Sequence, residues 1–315
     1  MSTKITPEII ENLFVSQFKV WPQADDNFKA LTGVEVKNLD VDGMPVKVQF
    51  NPARIVSSAA KVDPEALKKR KCFLCGENRP EVQEGIEWGD KYIILINPFP
   101  IFPRHLTIPD KTHTPQLIKG RIGDMVSLAA DLKGYTVFYN GPKCGASAPD
   151  HMHFQAGNSD FLTIQKAIET IDLMPVIVSN DGEAVLSVSE GLPVNFFVID
   201  TTSADSAEEL FDRLYAAMPV PEGETEPMMN ILCYVTEEGE ARVVIFPRKR
   251  HRPSFYGTEG DDCMLLSPAS VDMGGVFITP RQVDFEKIDS ATIKRIYDEL
   301  CLDNEEINNI VQSIN

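Results

Sequence analysis

Residues His151-Met152-His153-Phe154-Gln155 alternate between polar and apolar side chains. On a β-strand this period puts His151, His153 and Gln155 on one face and Met152 and Phe154 on the other. A chain with such a stretch needs an apolar layer against one face and a polar cavity against the other. Just upstream, Asn140-Gly141-Pro142-Lys143-Cys144-Gly145-Ala146-Ser147 carries the glycines, proline and serine of a loop that brings backbone N–H groups close to an anion. Polar side chains beside a phosphate-sized loop point to chemistry at phosphorus. An ordinary strand with two surface histidines is the alternative that the pentapeptide alone leaves open.

The totals narrow the setting. A chain of 315 residues is long enough for two domains or one large sheet with helices. A net charge of −17 argues against a general nucleic-acid binder, which needs a broad basic face. It leaves room for a small anionic substrate held by a local basic cluster. The N-terminus opens with a helix start at Thr6-Pro7-Glu8 rather than the apolar core of a signal peptide, and no apolar run has the length of a membrane helix. The six cysteines are scattered apart from Cys72 and Cys75. This fits free thiols in a reducing compartment plus one metal-type pair, and hence a cytoplasmic protein without membrane partners.

Several elements are legible in order. Thr6 and Pro7 start a helix with Ile10, Leu13, Phe14 and Phe18 at helical spacing. Val46–Phe50 alternates as a strand and ends near Arg54, which either reaches a phosphate or is simply exposed. A short helix from Asp63-Pro64-Glu65 leads to Cys72-Phe73-Leu74-Cys75, a knuckle that chelates zinc if two further ligands arrive. A redox pair or two inert buried thiols are the alternatives. Tyr92–Ile96 and Leu106–Pro109 read as paired strands around a loop with Pro98, Pro100 and Pro103. Helical segments are expected at Leu117-Ile118, Ile122–Leu132 and Phe161–Ile171, and a strand at Tyr135–Tyr139. In the second half, strands are expected at Pro175–Val178, Ala184–Val188 and Val194–Ile199. A helix capped at Ser206 follows, then a hairpin of Asn230–Val235 with Ala241–Phe246, and finally helices from Ser290 and Asp303. The densest basic run, Arg248-Lys249-Arg250-His251-Arg252, follows the hairpin and is either a phosphate clamp or a solvated face. Both halves place Pro, Arg and His after a strand, which suggests a degenerate duplication joined near residues 175 to 190. The expected division is a catalytic half, 1–175, and a second half, 176–315, carrying the basic loop.

Two blocks give these residues a family likeness. One is Asn97-x-x-Pro100-x-x-Pro103-x-His105 followed by Pro109 and His113. The other is Asn140-Gly141-Pro142, Gly145-x-Ser147 and His151-Met152-His153-Phe154-Gln155-Ala156. Over roughly residues 92 to 160 the chain resembles the histidine-triad superfamily, on its transferase and phosphorylase branch. That branch includes galactose-1-phosphate uridylyltransferases, diadenosine tetraphosphate phosphorylases and GDP-hexose phosphorylases. The resemblance implies an α+β fold, an antiparallel sheet with flanking helices built from two related halves. It implies that His153 is the nucleophile attacking the α-phosphorus of a nucleotide, with Gln155, Ser147 and the Gly145 backbone at the phosphate and Asn97 by the ribose or base. By likeness to the uridylyltransferases, Cys72, Cys75, His113 and His151 would hold zinc, although one extra residue precedes His113 and another precedes His151. No organic cofactor is implied.

The residue types suit that chemistry. A neutral imidazole is a competent nucleophile near neutral pH, and a covalent nucleotidyl intermediate divides the displacement into two in-line steps. A histidine at 155 could protonate a basic leaving group, whereas the Gln155 amide can only hydrogen-bond. Leaving groups and acceptors that are themselves phosphates need no such proton. The expected reaction is therefore transfer between phosphates: phosphorolysis of a nucleoside-diphosphate sugar of GDP-hexose type or of a dinucleoside polyphosphate. Transfer to a hexose 1-phosphate is the alternative. Expected substrate contacts are Asn97, Arg54, Asn140, Gly145, Arg248, Lys249 and Arg250, the last three for inorganic phosphate or a sugar phosphate. Two other classes stay open. One is a metal-dependent oxygenase using the His-x-His pair with Asp160 and His251, the other a non-catalytic nucleotide-binding protein on the same fold. The oligomeric state is left open.

Overall fold

A computed structural model describes residues 5–55, 64–257, 259–260 and 263–314. Its strands are β1 (Glu35–Val41), β2 (Met44–Phe50), β3 (Gly85–Trp88), β4 (Tyr92–Ile96), β5 (His105–Pro109), β6 (Tyr135–Asn140), β7 (His153–Asn158), β8 (Leu173–Val178), β9 (Ala184–Ser189), β10 (Phe197–Thr201), β11 (Met229–Val235), β12 (Ala241–Pro247) and β13 (Val276–Thr279). Ten of them form one antiparallel sheet in the order β3-β4-β5-β7-β6-β11-β12-β10-β9-β8. The order reads the same from either edge: a three-strand meander, then a hairpin whose first strand lies at the centre. A helix joins meander to hairpin in each half, Ile122–Asp131 and Ala204–Ala217, and the two helices pack together. One arrangement of five strands thus occurs twice in the sheet. The two sets meet along β6 and β11, where Asn140 faces Asn230.

Both faces of this sheet are covered. On one, Met152 and Phe154 join a core with Ile10, Phe14, Leu128, Leu210 and Ile307 of the helices. On the other, Phe138, Val244 and Phe246 pack under a three-stranded sheet, β1-β2-β13, and the helices Gln282–Lys287 and Ser290–Leu300. The alternation around His153 therefore separates an apolar layer from the face that carries polar groups. No helix among the described residues is long and apolar enough to cross a membrane.

Most expected elements are found, with informative shifts. The first helix runs Pro7–Val20, and the Thr6 hydroxyl accepts from the Ile9 N–H. The helix in the second half starts a turn earlier than expected, because Ser203, extended after β10, caps it by accepting from the Ser206 N–H. Ser206 instead donates to Asp181. The helix expected over Phe161–Ile171 is confined to Thr163–Ile168. Leu117 and Ile118 are not helical, since the Gln116 N–H donates to Pro149 O and the Ile118 N–H to the Glu226 carboxylate. The helix near Pro64 spans Pro64–Lys69, and its expected start at Asp63 lies outside the described residues.

Candidate active site

Two residues before β7, His151 meets three side chains from two other loops. Cys72 and Cys75 come from the segment after the helix Pro64–Lys69, and His113 from the segment after β5. The ligand atoms of the four lie within 4.8 Å of one another. Cys72 Sγ is 3.3 Å and Cys75 Sγ 3.5 Å from His151 Nδ1, and Cys75 Sγ is 3.1 Å from His113 Nδ1. Sulfur and nitrogen ligands of one tetrahedral zinc stand about 3.5 Å apart, given ~2.3 Å and ~2.0 Å bonds, so the spacing fits a metal. His151 Nε2–H donates to the Asp110 carbonyl at 2.7 Å, which leaves the Nδ1 lone pair facing the sulfurs. The extra residues before His113 and His151 do not prevent this convergence. An Arg70–Asp150 ion pair ties the knuckle to the residue before His151, and Asn78 donates to the Cys72 carbonyl. Among the described residues, Asp160 and His251 are not part of this group.

His153 begins β7 and is 3% exposed. Its Nδ1 lies 2.8 Å from the His151 carbonyl oxygen, an acceptor only, so Nδ1 carries the proton and Nε2 holds the lone pair. Burial pulls its pKa down to about 4. The imidazole is neutral at physiological pH.

Two residues along the same face, the Gln155 amide is held in one orientation. His105 Nδ1 accepts from the Ile101 N–H, so its Nε2–H donates to Gln155 Oε1 at 3.0 Å. Asn97 Oδ1 accepts from the Phe99 N–H, so its amide nitrogen also donates to Gln155 Oε1, at 3.3 Å. With its oxygen taken by two donors, Gln155 presents its NH2 as the free end. Burial, followed by the nearby Arg54 charge, lowers the His105 pKa to about 3 and keeps this ring neutral. Arg54 itself donates to the Phe99 carbonyl at 2.6 Å, in the loop that holds Asn97.

The other expected residues divide. Gly145 and Ser147 lie half-buried in the loop between β6 and β7. Gly145 has φ +94°, and a Cβ there would stand 2.5 Å from the Ala269 methyl carbon, so glycine is required for the segment 268–273 to pack on the loop. Asn140 accepts through Oδ1 from the Asn230 amide, the Ser270 N–H and the Ser270 hydroxyl, which commits its side chain inside the protein. Arg248 is 3% exposed and donates to Asn230 and to the carbonyls of Pro268, Arg250 and His251. Lys249 pairs with Asp303 and Glu306, and Arg250 with Glu299. The basic run is therefore spent on binding the C-terminal helices and the centre of the sheet to each other, and in this structure its first three residues do not form an open clamp. His105 and Gln116 belong to the site without having been assigned a part in it. His105 stands in the first motif, whereas nothing in the sequence around Gln116 marks it.

Residues 13–158 match the family model of a domain of unknown function, DUF4922, and residues 167–315 match a model described as GDPGP1-like, C-terminal domain. No curated protein matches the chain by sequence. Among solved structures, yeast Ap4A phosphorylase Apa2 is similar at a TM-score of 0.59 and 18% identity, over 90% of this chain and 97% of that one. The same yeast enzyme in complex with Ap4A gives 0.57 and 18% over the same shares. Its AMP complex gives 0.57 and 18% over 88% of this chain and 94% of that one. The likeness to the phosphorylase branch of the histidine-triad superfamily expected from the sequence is thus borne out, by a GDPGP1-like C-terminal domain and by the fold of Ap4A phosphorylase.

Proposed function

We propose that the protein is a nucleotidyl-transferring phosphorylase that works through a covalent nucleotidyl-His153. The observation that carries this reading is the paired orientation of His153 and Gln155. One presents an unprotonated Nε2 and the other a donor-only amide on the same strand face. In the first step Nε2 attacks the α-phosphorus, an N–P bond forms, and the bond to the bridging oxygen breaks with its electron pair leaving on the departing phosphate. The proton stays on Nδ1, where the His151 carbonyl stabilises the positive charge that develops. In the second step an oxygen of inorganic phosphate attacks phosphorus and Nε2 leaves, so no group has to exchange a proton with the reacting oxygens. The Gln155 NH2 and the loop N–H groups around Gly145 and Ser147 stabilise the phosphoryl oxygens. Cys72, Cys75, His113 and His151 would hold zinc, whose contribution would be to fix the segment that leads into the nucleophile. The match to a GDPGP1-like model and the fold shared with an enzyme seen in complex with Ap4A and AMP support a GDP-hexose or a dinucleoside polyphosphate as substrate.

A phosphate-dependent screen tests this reading. Purified protein is incubated with GDP-, UDP- and ADP-linked hexoses and with diadenosine tetraphosphate, with and without inorganic phosphate. The expected result is a nucleoside diphosphate formed only with phosphate and lost in His153→Ala. Turnover of none of these, or turnover undiminished in His153→Ala, contradicts it.

A further inference from the structure

Successive residues of a strand send their backbone N–H and C=O groups to opposite neighbours. At the start of β7, the Met152 carbonyl accepts from Asp110 on the β5 side, so the polar backbone groups of His153 point toward β6. Among the described residues, no strand residue meets them there. The β6–β7 pairing ends at Phe138 and Gln155, and beyond it the chain leaves for the glycine loop, with the Gly141 N–H donating to Met229. The gap is filled by the side chain of Gln116. Its Oε1 accepts from the His153 N–H at 2.8 Å, and its Nε2 donates to the His153 carbonyl at 3.1 Å and to the Asn140 carbonyl at 3.0 Å.

One amide thus takes the place of a neighbouring strand at the nucleophile. Gln116 is fully buried, and its own backbone is pinned, the N–H donating to Pro149 and the carbonyl lying 3.1 Å from the Tyr139 hydroxyl. The role is specific to glutamine. It needs one acceptor and two donors at the end of a side chain of this length. Glutamate has no donor, asparagine is one methylene short, and methionine leaves buried backbone groups unpaired.

We propose that Gln116 is the positioning residue of the reaction: it fixes the backbone of His153, and with it the line along which Nε2 approaches phosphorus, and it ties that backbone to the first residue of the phosphate loop. This rests on the reading of His153 as the nucleophile. Such a part differs from general support, because a reacting atom displaced by a fraction of an ångström loses rate while the bound substrate keeps its contacts.

The test uses the full chain carrying Gln116→Met or Gln116→Glu, with GDP-glucose and diadenosine tetraphosphate as probes, inorganic phosphate as acceptor and His153→Ala in parallel. In folded variants kcat is expected to fall by about ten- to a hundredfold while KM changes little. Normal kcat in folded Gln116→Met overturns the proposal, as does a rise in KM with kcat unchanged. If His153→Ala keeps full activity, the nucleophile assignment itself fails. If His153→Ala is inactive while Gln116→Met is fully active, only the positioning role fails. Should neither variant fold, hydrogen exchange on the unaltered protein decides: the His153 amide is expected to be as protected as those of β6, and fast exchange there overturns the proposal.

Discussion

A glutamine can turn either its oxygen or its nitrogen to a substrate, and at position 155 two neighbouring donors remove the choice. His105 and Asn97 both donate to Oε1, so the NH2 is what a phosphate would meet. Replacing Gln155 by glutamate puts a carboxylate where a donor is needed, and turnover should fall by about 10²- to 10³-fold, the scale of a lost transition-state donor. The kcat of Gln155→Glu measured against the unaltered protein checks this. His105→Leu should give a smaller loss in kcat, because one of the two donors that set the amide remains. His105 also leaves a mark on stability. Its folded pKa of about 3 lies below the ordinary histidine value near 6.5. Its contribution is therefore fully present above about pH 6.5 and is lost as pH falls toward 3. Urea denaturation from pH 7 to pH 4 should show falling stability, with a shallower fall in His105→Leu. At this scale the sequence disclosed His153 and Gln155 through a period-two pattern, which is local. It could not disclose Gln116, whose partners are backbone atoms 24 and 37 residues away.

Among the elements, the knuckle at Cys72 and Cys75 has the most to do with the site while lying beside it. Its partners His113 and His151 lead directly into Gln116 and His153, so a metal held there fixes both residues. Purified protein should contain a stoichiometric zinc, and chelation or Cys72→Ser should lower stability by several kcal/mol, since the binding energy of a structural metal is folding energy. Metal analysis with thermal melts in a strong chelator measures both, and an unchanged melt would set the metal aside. The alternating strands and the hairpin at β11 and β12 were legible because burial imposes a period of two. Strand β1 was not, because its residues are mostly exposed or half-exposed and alternate weakly. The cap of the helix Ala204–Ala217 was misplaced by a turn because Ser206-Ala207-Glu208-Glu209 has capping-box spacing, whereas Ser203, the actual cap, has Ser206 and no Glu or Gln three residues on. Only the chain direction after β10 selects Ser203.

Across the whole molecule, the second half repeats the strand order of the first with no histidine in its strands. Strand β12, which lies where β7 lies, carries Arg242, Val244 and Phe246 but no histidine. One half bears the strand with His153 and Gln155 and the other completes the sheet. The halves are joined through buried polar groups, and Glu226 is one whose effect is measurable. It accepts from the Tyr139 hydroxyl at 2.6 Å and the Ile118 N–H at 3.0 Å, and burial raises its pKa to about 7. A raised carboxyl stabilises fully below its ordinary value near 4.5, and this contribution is lost as pH rises through 7. Glu226→Gln should therefore be nearly neutral at pH 5 and stabilising at pH 8 by about 1–3 kcal/mol, read from denaturation midpoints at the two values. The repeated strand order left a trace in the sequence only as two Pro-Arg-His loops, and in the basic one Arg248 is buried bracing while Lys249 and Arg250 pair with acidic residues of the C-terminal helices at the surface. Whether a charge faces a cleft or a helix depends on how the chain closes, and the local pattern does not record that.

The measurement closest to the central claim is the intact mass of the protein after brief incubation with GDP-glucose or diadenosine tetraphosphate in the absence of phosphate, quenched in alkali to preserve a phosphoramidate. A gain of one nucleotidyl group, mapped to His153, discharged by added phosphate and missing in His153→Ala, is the predicted result. Phosphate-dependent turnover with no such adduct, and with full activity in His153→Ala, would contradict it.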